Sequence, residues 1–187
     1  MIEGMFAVAA RTAGALSLAI RVWLALFRGR FWRWRERLEP AAPRQSATVT
    51  AVIPARDEEE TIGRTVTSLL RQQFPGTLGI VVADDESSDR NAEAARAAGA
   101  SLVLRVAPRP PDWKGKLWAV ASGIHAETSP PDFFLLTDAD IEYVSAGIVA
   151  ALIAKAEQGF DLVSVMVRLS TESAAEKFLI PAFVFFL

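Results

Sequence analysis

Three times in the middle of the chain, a short run of aliphatic and β-branched residues runs out onto carboxylates. Thr48-Val49-Thr50-Ala51-Val52-Ile53 leads through Pro54-Ala55-Arg56 to Asp57-Glu58. Residues 78–83 lead to Asp84-Asp85, and Phe133-Phe134-Leu135-Leu136-Thr137 leads to Asp138-Ala139-Asp140. Short apolar runs bounded by turn residues read as buried strands. Between them the period changes. Ile62, Val66, Leu69 and Leu70 share one helical face, so the pattern predicts a helix over 58–73, stopped by Phe74-Pro75-Gly76. Ser88 or Asp89 can cap a helix over 90–98 that Gly99 closes. A third strand is expected over 101–106, helices over 115–127 and 144–158, and a last strand over 161–167. Strands alternating with helices predict an α/β fold, Rossmann-like, with a mainly parallel sheet and helices on both faces. In such sheets ligands bind in the crevice beyond the carboxyl ends of the strands. The three acidic exits are therefore expected to share one crevice.

Composition narrows the chemistry available there. The chain has 187 residues, enough for one domain with a core, and a formal net charge of −2. That balance gives no support to a nucleic-acid surface. Without cysteine, disulfides and thiolate metal sites are excluded, and the single His125 argues against an imidazole-based site. Carboxylates, amines and hydroxyls remain. Two carboxylates as close as Asp138 and Asp140 repel, and a divalent cation relieves that repulsion; Mg²⁺ typically takes one or two carboxylates plus substrate phosphates. The alternative is that the two aspartates only end a strand in a turn. Asp57-Glu58-Glu59-Glu60 likewise suits a helix N-terminus, where negative charge meets the positive dipole end. Asp138 does not open an EF-hand loop, since Tyr143 stands where glycine is required. No glycine-rich dinucleotide or P-loop motif follows the first strand.

The ends of the chain have another character. Residues 5–27 are largely apolar and long enough to cross a bilayer as a helix, although Arg11 and Arg21 interrupt them. Each such charge costs ~2.5–3.5 kcal/mol at the centre of an inserted helix and less near the ends, where it can snorkel. Arg28, Arg30, Phe31, Trp32, Arg33, Trp34, Arg35 and Arg37 follow, a basic and aromatic flank expected on the cytoplasmic side. A signal peptide is disfavoured because the positive residues follow the apolar run. An amphipathic helix lying on a membrane or partner is the competing reading. The sequence thus divides into an anchor (1–39), a linker (40–47), a globular domain (48–177) and an apolar run (178–187). That run reads as the start of a further membrane segment, and the chain as the N-terminal part of a longer protein. The expected location is the inner, cytoplasmic membrane with the domain facing the cytoplasm.

Four motifs in order bear a family resemblance. They are Val52-Ile53-Pro54-Ala55-Arg56-Asp57-Glu58-Glu59, Val82-Ala83-Asp84-Asp85-Glu86-Ser87-Ser88-Asp89, Lys114-Gly115-Lys116-Leu117-Trp118-Ala119 and Thr137-Asp138-Ala139-Asp140. Together, over about residues 48–170, they resemble the family 2 glycosyltransferases of the GT-A fold. The Pro-Ala-Arg-Asp-Glu-Glu-Glu and Trp-Lys-Gly-Lys details and the membrane flanks are similar to the hopanoid-biosynthesis-associated branch. The resemblance implies transfer of a sugar from a nucleotide-diphosphate sugar, with inversion, assisted by Mg²⁺ or Mn²⁺. It implies that Pro54, Arg56 and Glu58 hold base and ribose, that Asp85 contacts the base, and that Lys116 lies near ribose or diphosphate. Asp138 and Asp140 match the Asp-x-Asp pair that meets ribose and metal, and Glu142 stands where some relatives place another metal ligand. A lipid acceptor follows only from the membrane flanks. The family's general base lies beyond residue 187. Arg56 and Asp57 replace the more usual aromatic residue and Asn, which leaves the base preference open. The competing functions are a non-catalytic nucleotide-sugar-binding or membrane-scaffold module and a sugar nucleotidyltransferase. The latter wants a glycine-rich loop where Pro54-Ala55-Arg56-Asp57 stands.

Overall fold

The computed structural model describes residues 2–27, 37–169 and 173–177. It falls into two compact units, one of them residues 38–167. That unit carries four parallel strands, β1 (Ala47–Ala55), β2 (Gly76–Asp84), β3 (Leu102–Arg105) and β4 (Phe133–Leu136), in the order β3-β2-β1-β4. Val52 pairs with Val81 on one side and with Leu136 on the other. Residues 51–53 of β1 and 80–83 of β2 are apolar and buried, because both faces of the sheet are covered there. Asp132 sets where β4 joins: its carboxylate accepts the Thr48 N–H (2.7 Å) and hydroxyl (2.8 Å), and Thr48 Oγ1 accepts the Asp132 N–H (2.9 Å).

Alternation along β1 divides the core between two faces. Ala51, Ile53 and Ala55 pack with Ile62, Val66 and Leu69 of α2 (Ile62–Leu70) and Ala95 of α3 (Asn91–Ala98). Ala47 and Val49, on the same face, meet Val149 and Ile153 of α5 (Ile148–Ala156). The opposite face, with Val52, Val81 and Ala83, receives α4 (Gly115–His125). Gly123 is what lets α4 approach: a Cβ there would stand 2.5 Å from Val52 Cγ1. Gly99 ends α3 with φ 101°, the left-handed C-cap its position predicts.

Three expectations are corrected. The helix predicted over 58–73 begins at Ile62, and no acid lies in its first turn. Asp57 and Glu59 are bonded instead to the β2 exit, while Glu58 accepts the hydroxyl of Thr61, the N-cap residue. The predicted strand over 161–167 does not form. Those residues are irregular, and Leu162, Val165, Met166 and Val167 are exposed, because apolar alternation makes no strand without a neighbouring edge that takes its backbone groups. The helix predicted from 144 begins at Ile148, because the residues before it are tethered elsewhere. The expected linker is fastened at its end, with Pro43 buried and the N–H groups of Arg44 and Gln45 donating to Glu157 (2.7 and 3.2 Å).

In the other unit, the apolar N-terminal stretch is one helix, α1 (Ile2–Phe27). Leu16, Leu18, Ile20, Val22, Trp23, Leu26 and Phe27 are exposed on it. Among the described residues no helix is long and apolar enough to cross a membrane. The basic and aromatic flank from Arg28 to Arg35 and the apolar run 178–187 lie outside the described residues.

Candidate functional site

The strand order β2-β1-β4 sets the three acidic exits side by side. Backbone bonds seal the exits together: the Asp85 N–H donates to Ala55 O (2.9 Å) and the Thr137 N–H to Val52 O (3.3 Å). The adjacent β3 exit joins them through Val106 N–H to Asp84 O (2.9 Å).

The acids have different fates. Asp57 has φ 54°, and its carboxylate accepts both the N–H (2.7 Å) and the hydroxyl (3.0 Å) of Ser88. Those bonds, the backbone one first, hold its pKa below the usual 3.8. Glu59 accepts the side chain and the N–H of Arg90; the side-chain bond chiefly lowers its pKa and raises that of Arg90. Glu58, expected to hold nucleotide, accepts the Thr61 hydroxyl at 2.8 Å. Asp84 is buried and accepts Nδ2–H of the fully buried Asn91 at 2.6 Å. Asp57, Glu59 and Asp84 thus accept hydrogen bonds from the segment 88–91.

Asp85 does not. Its carboxylate faces Arg56 at 3.9 Å, and a Cβ on Gly115 would come within 2.9 Å of Asp85 Oδ2. A cavity of about 500 Å³ opens beside them, lined by Arg56, Asp85 and Glu86 from the β1 and β2 exits and by Arg109, Lys114 and Gly115 from the approach to α4. Its wall is fixed by aromatic packing. Trp113 and Trp118 meet edge to face at 5.3 Å, Trp118 Nε1–H donates to Ala107 O (2.9 Å), and Arg109 donates to Trp113 O. Both tryptophans shape the loop. Sequence reading missed Glu86 and Arg109. The signal was available for Arg109, because the exit of a third strand opens onto the same sheet edge as the first two.

Asp138 and Asp140 stand exposed on either side of the buried Ala139 at the β4 exit. Lys116 Nζ, in the first turn of α4, lies 2.7 Å from Asp138 Oδ1. The bridge joins the β4 exit to the helix that also carries Gly115. Tyr143 lies behind: burial pushes its phenol pKa up, a bond with Thr137 opposes that, and the Asp138 charge adds to the rise. Among the described residues no three acidic or histidine side chains gather into a ready-made metal cluster, so the exposed Glu142 is not drawn into one with Asp138 and Asp140. Pro54 is half-buried within β1 and pairs with Ala83. His125 is exposed, its ring nitrogen 2.6 Å from Ala121 O.

Comparison with known proteins places this arrangement. The fold matches that of a mannosyltransferase from Pyrobaculum calidifontis, solved with GDP-Man and Mn²⁺, with a TM-score of 0.58 at 23% identity over 76% of this chain and 42% of that one. The chain is 36% identical over 107 residues to a 4,4'-diaponeurosporenoate glycosyltransferase of Staphylococcus aureus strain bovine RF122, and 38% over 106 residues to that of strain MRSA252. Those matches span 57% and 56% of this chain and only 27% of each relative's length. The sequence profile described as Glycosyl transferase family 2 matches residues 50–181, well over half the chain and all three acidic exits. The α/β sheet with carboxylates at its strand ends is therefore that of a GT-A fold, and the chain belongs to glycosyl transferase family 2.

Proposed function

We propose that residues 47–156 form the donor-binding part of a glycosyltransferase that takes its sugar from a nucleotide-diphosphate sugar. The observation that carries this reading is the cavity lined by Arg56, Asp85, Arg109 and Lys114, set beside the acidic exit of β4. Cations in that cavity suit a ligand of negative charge, while Asp85 supplies an acceptor for N–H groups of a base. Arg56 orients the Asp85 carboxylate, and Gly115 leaves it room.

The donor set at Asp138 and Asp140 fits a hard divalent ion. It offers carboxylate oxygens only, both acids are exposed, and one already holds the Lys116 ammonium as a cation. Two carboxylates are too few for a cage, as expected of Mg²⁺ or Mn²⁺ whose shell is completed by phosphate oxygens. When bound, such an ion neutralises charge on the departing diphosphate. Lys116, now on Asp138, would be within reach of the same diphosphate charge once a divalent ion took its place on that carboxylate. The matched relatives are named for 4,4'-diaponeurosporenoate; an acceptor of lipid type, and the finer hopanoid-related assignment, remain part of the proposal. So does membrane attachment through α1, supported by its exposed apolar side chains and tested by co-sedimentation of the chain with anionic vesicles. Titration of UDP or GDP into the chain, with Mn²⁺ or with EDTA, tests the donor site. Binding that requires the ion supports it.

A further inference from the structure

The segment between β4 and α5 carries both exposed aspartates yet has no regular structure of its own. What shapes it is helix α2. Thr65 is 1% exposed, and its hydroxyl donates to Ala139 O at 2.7 Å, the carbonyl between the two aspartates. Ser68, also buried, accepts the Tyr143 N–H at 3.0 Å and donates to Thr65 O at 2.9 Å. Gln72 donates to Ser145 O at 2.8 Å and accepts the Val149 N–H at 3.1 Å. The Gln73 N–H completes the row on Ala146 O at 2.7 Å. Thr65 and Ser68 stand at i and i+3 on one stripe of α2, and Gln72 and Gln73 continue it just past the C-cap Arg71.

We propose that this polar stripe is a template for the acid-bearing loop and that Thr65 is a positioning residue for Asp138 and Asp140. A buried hydroxyl is costly unless bonded, and a valine of the same shape would pack α2 against the sheet equally well. The hydroxyl therefore serves the bond. Ala139 has its methyl group in the core and its carbonyl held by Thr65, so the peptide plane between Ala139 and Asp140 is set and the two aspartates that flank it face outward. A carboxylate pair that shares an ion with a diphosphate must be held close to its productive geometry, and outer partners of metal ligands typically matter by 10–100-fold in affinity. This consequence for binding rests on the proposed function; the consequence for the loop does not.

The test uses the whole chain with Thr65→Val, which keeps shape and loses the donor, and Thr65→Ser, which keeps the donor. Without ligand, Thr65→Val speeds amide hydrogen exchange of residues 138–143 about tenfold relative to β1 and β2, and Thr65→Ser does not. With UDP or GDP, Thr65→Val weakens the Mn²⁺-dependent affinity about tenfold, and Thr65→Ser restores it. Gln72→Met, at the half-buried end of the stripe, speeds exchange at 145–149 and guards against a Thr65→Val chain that fails to fold. Unchanged exchange in these segments, exchange that rises equally across the sheet, or a Thr65→Ser that behaves like Thr65→Val overturns the proposal. A wild-type chain that binds neither nucleotide overturns the functional reading instead, and the exchange arm still decides the template.

Discussion

The β1 and β4 exits are both acidic in sequence and differ in structure. At β1, Asp57 and Glu59 are taken up by Ser88 and Arg90. At β4, Asp138 and Asp140 face solvent, and the partner of Asp138 is one mobile type of cation, a lysine. A carboxylate already bonded to neighbouring backbone and hydroxyl groups has less acceptor capacity left for a ligand and is held in place by them. One whose partner is a long ammonium arm can exchange it for another cation. The difference separates acids that hold the loops from acids that can hold a substrate, and substitutions should separate them too.

The largest expected effect is at β4. Asp138→Ala or Asp140→Ala should weaken Mn²⁺-dependent nucleotide binding at least tenfold, by order of magnitude about that of losing an outer partner or more, with the thermal midpoint unmoved. Next is a change that should do the reverse. Gly123→Ala drives a methyl group into the fully buried Val52 and should cost about 1–3 kcal/mol of stability by overpacking, measured by denaturant unfolding, with donor affinity per folded molecule unchanged. Gly115→Ala displaces the Asp85 carboxylate and should weaken nucleotide binding by roughly threefold to tenfold, about the range of one modest hydrogen bond. The smallest effect is acid sensitivity at β1. The pKa values of Asp57 and Glu59 lie below their ordinary 3.8 and 4.5, so their contribution is full above those values and is lost as pH falls through the lowered ones. Stability should therefore decline below about pH 4.5, and Asp57→Asn should flatten that decline.

The comparison also marks how far sequence reaches. The strands β1 and β2, the C-cap at Gly99 and the meeting of three acidic exits were legible because each follows from local period, turn chemistry and the rule for strand ends. The fate of Asp57 and Glu59 was not, since Ser88, Asp89 and Arg90 lie about thirty residues away and only the β1–β2 pairing brings them near. The failed strand over 161–167 has the same cause: apolar alternation gives a strand its faces, and a neighbour gives it its hydrogen bonds. In α2 the apolar face masked the polar pair Thr65 and Ser68, and nothing local showed that Gln72, just past the helix end, would reach Ser145 and Val149.

The central claim is that the β4 acids bind nucleotide through a divalent ion. Calorimetric titration of UDP and of GDP into the whole chain, with Mn²⁺ and with EDTA, on wild type and Asp140→Ala, tests it most directly. Binding that requires Mn²⁺ and is lost in Asp140→Ala is the predicted result, and the nucleotide that binds names the base. Binding of equal strength in Mn²⁺ and EDTA, indifferent to Asp140→Ala, would contradict it.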